Sequence, residues 1–132
     1  MNDNELANLA LEARKTAYAP YSGFLVGAAL LTPNGKVYTG INIENAAYSP
    51  SNCAERTAFF RAIADGERSF EAIAVAGFKD DSPGFAFPCG VCRQVMAEFC
   101  KPEFRIIVTN GSEIKTVLLS ELLPFGFGFE NL

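Results

Sequence analysis

Apolar residues recur at helical spacing through Leu6, Leu9, Ala10, Ala13 and Ala17, with polar and charged residues between them, and Pro20 lies just beyond. The spacing predicts an amphipathic helix over residues 4–18, with its charged face in solvent. Residues 24–32, FLVGAALLT, are short and almost wholly apolar, and residues 37–43 are again strand-like. The turn chemistry of Pro33-Asn34-Gly35-Lys36 between them predicts an antiparallel hairpin. After a loop over 44–52, residues 54–65 carry good helix formers and stop at Gly66. Residues 71–78 read as a buried strand around Ile73, Ala74 and Val75, and the Gly-, Pro- and Asp-rich residues 79–88 as a loop. A further helix is predicted over 90–99. Residues 104–109 are β-branched and apolar, Asn110-Gly111 is a hairpin turn, and residues 114–119 return as the partner strand. Helix, two strands, helix, strand, helix, two strands, with no internal repeat or linker, predicts one α/β domain over residues 1–132. Its expected architecture is a three-layer α/β/α fold with a mixed five-stranded sheet.

Composition narrows what such a domain does. A chain of 132 residues that is 49% hydrophobic and 20% charged buries a real core and is not a disordered tail. Its net charge of −4, with no dense run of Lys or Arg, argues against nucleic acid as a partner. The start MNDNELANLALEAR is acidic and polar, unlike a secretory signal, and no apolar stretch reaches membrane-spanning length. A cytoplasmic protein without a membrane partner is expected. Thiols stay reduced there, so the four cysteines read as metal-binding or catalytic groups before they read as disulfides. Histidine is absent, which excludes His-based triads, His-ligated metals and His general bases.

Three of the cysteines form a pattern: Cys53 heads CAERTAF, and Cys89 and Cys92 lie in PCGVCRQV. Three thiolates fill three corners of a tetrahedral zinc and leave the fourth for a water that the metal can acidify. Both cysteine elements fall where predicted helices begin, and a helix N-terminus favours thiolate over thiol. Glu55, on the first turn after Cys53, is placed to exchange protons beside the open corner. Arg56 and Arg93 each follow a cysteine closely, and either could donate to the sulfurs and offset their charge. Blander readings stand beside these. Cys100 could complete a structural four-thiolate site, though eight residues of helix, about 12 Å, separate it from Cys92. Glu55 could simply favour the helix dipole. Phe24 and Tyr48 could be core residues, and Asn42 and Glu44, alternating with Ile41 and Ile43, the exposed face of a strand.

CAERTAF and PCGVCRQV, with FLVGAALL, NIENAAYS, the AYAPYS approach and the closing SELLP, make the chain similar, nearly end to end, to the small homo-tetrameric cytidine deaminases. The resemblance implies hydrolysis of cytidine and 2′-deoxycytidine to the uridine products and ammonia, in pyrimidine salvage, with one zinc per subunit. It makes Cys53, Cys89 and Cys92 the ligands, Glu55 the proton shuttle and Arg56 the cation beside the sulfurs. Ala54 would offer backbone contacts to the pyrimidine and Phe24 a ring against the base. Asn42 and Glu44 would hold the ribose 3′-hydroxyl. Ala46, Tyr48 and, from the tail, Phe127 would reach the site of a neighbouring subunit, so that a homo-tetramer shares its active sites. The chain departs from the family pattern in Phe87, where relatives often carry a small residue before the Pro-Cys pair, and in the long loop 79–87 with its Asp80-Asp81 pair. Phe125, Phe127 and Phe129 also alternate in the tail, so the register of the aromatic contact rests on the offset from Pro124.

Three rival readings share parts of this pattern. A deaminase of tRNA or single-stranded nucleic acid needs a basic channel, which an acidic chain lacks. A deaminase of a cytosine-nucleoside antibiotic of the blasticidin S type has the same cysteine motifs without the Asn-Ile-Glu pair. A non-enzymatic zinc or redox protein would have no use for Glu55.

Overall fold

The computed structural model describes residues 1–132. Helix α1 spans Asp3–Arg14, strands β1 and β2 Leu25–Leu31 and Val37–Ile41, helix α2 Ala54–Ala64 and strand β3 Ala72–Phe78. Helix α3, Gly90–Phe99, leads to strands β4, Arg105–Thr109, and β5, Ile114–Leu118. A short helix α4, Leu119–Leu122, and a 3₁₀ turn at Phe129–Asn131 follow. The strands form one sheet in the order β2-β1-β3-β4-β5. All neighbours are antiparallel except β3 and β4, which are parallel and joined through α3. This is the expected mixed five-stranded sheet.

Period-two alternation sends the sheet's side chains into two cores. Leu30, Ile73, Val75, Ile106 and Val108 pack with Phe59 of α2 and Met96 of α3 on one face. On the other face, Ala29, Leu31, Ala72, Ala74, Ala76 and Ile107 meet Leu6, Ala7 and Ala10 of α1. The helices thus lie on both sides of the sheet, and α2 and α3 share the side that carries the cysteines.

Two differences from the predicted elements are informative. Asn2 and Glu5 form a reciprocal capping box that starts α1, but the helix ends at Arg14 instead of running to residue 18. Tyr18 instead pairs with the chain beyond β2: its amide donates to the Asn42 carbonyl and its carbonyl accepts from the Glu44 amide. A strand-like pairing with distant residues has overridden local helix propensity. Strand β2 likewise ends at Ile41: the Asn42 amide still donates to the Val26 carbonyl, but the Val26 amide donates to the Asn42 side chain while the Asn42 carbonyl accepts from Tyr18.

Gly40 sets the distance between sheet and α2. A Cβ added there would lie 2.3 Å from the Ala54 carbonyl oxygen and 2.5 Å from the Ala58 amide nitrogen, both rigid helix backbone. Gly40→Ala must therefore push α2 outward and carry Cys53 with it. An overpacking cost of roughly 1–3 kcal/mol is expected, seen as a lower melting temperature together with weaker metal binding. Wild-type values of both would contradict this account.

Candidate active site

Cys53 is the N-cap of α2 and Cys89 the N-cap of α3, and Cys92 follows on the first turn of α3. Two positive helix ends therefore converge on three sulfurs. The three Sγ atoms lie within 4.8 Å of one another, and those of Cys53 and Cys89 are 3.7 Å apart. Zinc–sulfur bonds of about 2.3 Å at tetrahedral angles require sulfur separations of about 3.8 Å. All four cysteines are free thiols. Donor type, number and spacing all fit a zinc ion. Cys100 lies outside the group: it closes α3 and packs against the core, and burial pushes its thiol up to about 12.

The surroundings favour an anion at Cys53. The neighbouring Cys92 thiol, with Arg56 and Cys89, holds the Cys53 thiol below its usual range, while the proximity of Cys53 and burial raise that of Cys92. Arg56 Nη2 stands 3.3 Å from Cys53 Sγ, and its Nε is buried without a partner within the chain. Arg93, the other arginine that follows a cysteine closely, does not reach the sulfurs. Its Nε donates to the Pro88 carbonyl at 2.6 Å and its Nη1 to that of Leu122 at 2.8 Å, which pins the approach to Cys89 against α4.

Glu55 occupies the second position of α2 and is only 5% exposed. Burial pushes its carboxyl up to about 7, and the nearby Cys53 charge acts in the same direction. A carboxyl near neutrality gives and takes a proton with similar ease. It lines a cavity of about 470 Å³ that also contains Cys53, Cys89, Ala54, Arg56, Phe24, Asn42, Glu44 and Tyr48.

Asn42 and Glu44 are built into that cavity. Asn42 donates Nδ2 to the Phe24 carbonyl at 2.8 Å and accepts from the Val26 amide at 2.9 Å, acting as an added rung between the strands. Glu44 accepts from the amides of Tyr21 and Ser22 at 3.0 and 3.1 Å and from the Ser22 hydroxyl, which with those amides holds its carboxyl below the usual range. Both side chains thus fold back onto residues 21–26, which lead into β1, instead of forming a free strand face. Ser22, Val26, Asn52, Val75 and Ala86 complete or support the walls and were not singled out from the sequence. Distant chain segments bring them together, and no local motif marks them. Phe87, the departure noted before the Pro-Cys pair, lies in the cavity wall.

The residues expected to serve a neighbouring subunit lie differently. Tyr48 is at the cavity mouth and 92% exposed, whereas Ala46 and Phe127 do not line the cavity of their own chain. The tail is held by a hydrogen bond from Gln94 Nε2 to the Phe127 carbonyl at 2.7 Å, which leaves the Phe127 ring largely exposed.

A mixed sheet carrying three convergent thiols and a buried carboxyl at two helix N-termini defines a zinc-binding α/β domain. Residues 1–108 match the family model "Cytidine and deoxycytidylate deaminase zinc-binding region". The chain belongs to this family. It is 52% identical to a cytidine deaminase of Sporosarcina psychrophila over 92% of this chain and 88% of that protein, and 47% identical to one of Halalkalibacterium halodurans over 100% and 98%. The crystal structure of a Burkholderia pseudomallei cytidine deaminase superposes with a TM-score of 0.87 at 46% identity, covering 96% of this chain and 100% of that one.

Proposed function

We propose that this protein is a zinc-dependent hydrolase that converts cytidine and 2′-deoxycytidine to uridine and 2′-deoxyuridine with release of ammonia. The observation that carries the reading is a single cavity joining Glu55, the thiols of Cys53 and Cys89, and the polar pair Asn42 and Glu44. The buried Cys92 completes the metal site behind it.

Cys53, Cys89 and Cys92 would hold one zinc per subunit, and the bound metal would supply the acidity that makes water a nucleophile at neutral pH. Glu55 accepts a proton as water adds to C4 of the pyrimidine and delivers it to the ring nitrogen N3. It then takes the remaining proton of the C4 hydroxyl and passes it to the amino group, so that the C4–N bond breaks, water's oxygen stays on C4 as a carbonyl and ammonia leaves. Ala54 contacts the base through its backbone, and Phe24 packs on the ring. The second Nδ2 hydrogen of Asn42 and the remaining lone pairs of the Glu44 carboxylate bind the ribose 3′-hydroxyl, the other capacity of both side chains being spent within the chain. Arg56 offsets the charge of the three thiolates, which would otherwise weaken the metal as a Lewis acid.

The exposed aromatics Tyr48, Phe125, Phe127 and Phe129 support assembly into a homo-tetramer. In that assembly Ala46, Tyr48 and Phe127 complete a neighbour's pocket. A cytoplasmic role in pyrimidine salvage fits a nucleoside substrate, and no helix is long and apolar enough to cross a membrane. The direct test follows ultraviolet absorbance of cytidine, deoxycytidine and blasticidin S with zinc-loaded protein. Conversion of the two nucleosides is expected. Conversion of the antibiotic alone would favour the blasticidin-type alternative, and no conversion of cytidine would sink the proposal.

A further inference from the structure

Arg14 is the last residue of α1, far from the cysteines in sequence, and at 7% exposure it is one of few buried charged side chains. Its guanidinium ends the β1–β3 ladder. Nε donates to the Leu25 carbonyl at 3.0 Å and Nη2 to the carbonyl of Phe78, and these two residues form the terminal pair of that ladder. The guanidinium carbon stands 3.8 Å from the centre of the Phe78 ring, and Nη1 pairs at 2.9 Å with Asp80, itself 79% exposed.

What those anchors hold is the pocket wall. Leu25 directly follows Phe24, and Phe78 directly follows Gly77. Gly77 is the floor beneath Phe24: a Cβ there would lie 3.3 Å from Phe24 Cε1 and 3.0 Å from the Ala86 Cβ. Phe24 and Ala86 both line the cavity, and the segment entered at Asp80 runs through Ala86 and Phe87 to Cys89. One buried cation thus ties the segment bearing the ring that meets the base to the first residues of the loop that carries the opposite wall.

We propose that Arg14 is a positioning residue for the substrate pocket, fixing Phe24 against the wall built by Ala86 and Phe87. This rests on the deaminase reading. Arg14 touches neither the metal ligands nor Glu55, so it acts on how well the substrate fits and leaves the proton transfers alone. The planar fork is needed because two carbonyls and a carboxylate are engaged at once, and a lysine ammonium cannot span the three with the same geometry.

The test compares cytidine kinetics and zinc content of wild type, Arg14→Gln, Arg14→Lys, Phe24→Ala and the Arg14→Gln/Phe24→Ala double variant, well below their melting temperatures. Arg14→Gln should raise KM about tenfold, the scale of losing one charge-assisted anchor, with kcat and zinc content near wild type and Arg14→Lys in between. In the Phe24→Ala background, the further effect of Arg14→Gln on KM should largely disappear, since the two act through one ring. A merely structural role predicts a lower melting temperature with unchanged KM, and that result overturns the proposal. So does an equal KM penalty in both backgrounds, or a loss confined to kcat and zinc. If Arg14→Gln does not fold, an unchanged KM in Arg14→Lys is decisive against it. Wild type that converts no cytidine would instead refute the deaminase reading beneath it.

Discussion

Glu55→Gln is expected to yield a folded, zinc-loaded protein whose kcat for cytidine is lower by about 10²- to 10⁴-fold, the usual contribution of a positioned acid/base. Glutamine keeps the size and planar shape of the side chain, so the first turn of α2 and the adjoining Cys53 are undisturbed. It cannot take a proton from water or return one to the pyrimidine. Its site is buried and suits an uncharged group, as the upward shift of the Glu55 carboxyl shows. The substitution therefore does not lower the melting temperature, and cytidine still binds. Metal analysis, thermal melting and the ultraviolet assay on one preparation separate the outcomes. Wild-type turnover in zinc-loaded Glu55→Gln would remove Glu55 from the mechanism and revive a binding or redox role for the metal site.

The second large effect concerns the metal. Chelation should abolish activity, and added zinc should restore it. Cys53→Ser, Cys89→Ser and Cys92→Ser should each fail to hold zinc at the level of the wild type. Removing a ligand costs more than the about 10- to 100-fold loss typical of groups one shell further out. The three sulfurs come from two helices that meet at their N-termini, so losing the metal also loosens the junction of α2 and α3, and melting temperature falls with zinc content. Cys100→Ser is the control, because Cys100 lies outside the cluster. It should keep zinc and activity. Full zinc content in Cys89→Ser, or its loss in Cys100→Ser, would show that the ligand set is wrong.

Much of the fold was legible because its elements are strongly patterned. Helix α3 has the predicted bounds, and the Asn110-Gly111 turn joins β4 and β5 as its chemistry requires, with Gly111 at a φ of 102°. The misplaced end of α1 shows where pattern stops being informative. Residues 15–18 keep helical spacing, yet Tyr18 finds better backbone partners in Asn42 and Glu44, more than twenty residues away. Asn42 and Glu44 show the same limit: alternation places them on one side of a strand without saying what covers that side.

The available chemistry is readable from residue order: three cysteines at or near predicted helix starts, an acid two residues past the first, and no histidine. These are properties of residue type and short spacing, which survive any arrangement of the chain. Which of these groups serve the site is set by long-range packing. It turned Arg56 toward Cys53 and Arg93 toward two backbone carbonyls, left Cys100 in the core, and folded Asn42 and Glu44 into the cavity wall. The physical reason is that a side chain's partner depends on how helices and strands pack across the sheet, and that packing is set by residues far apart in the chain.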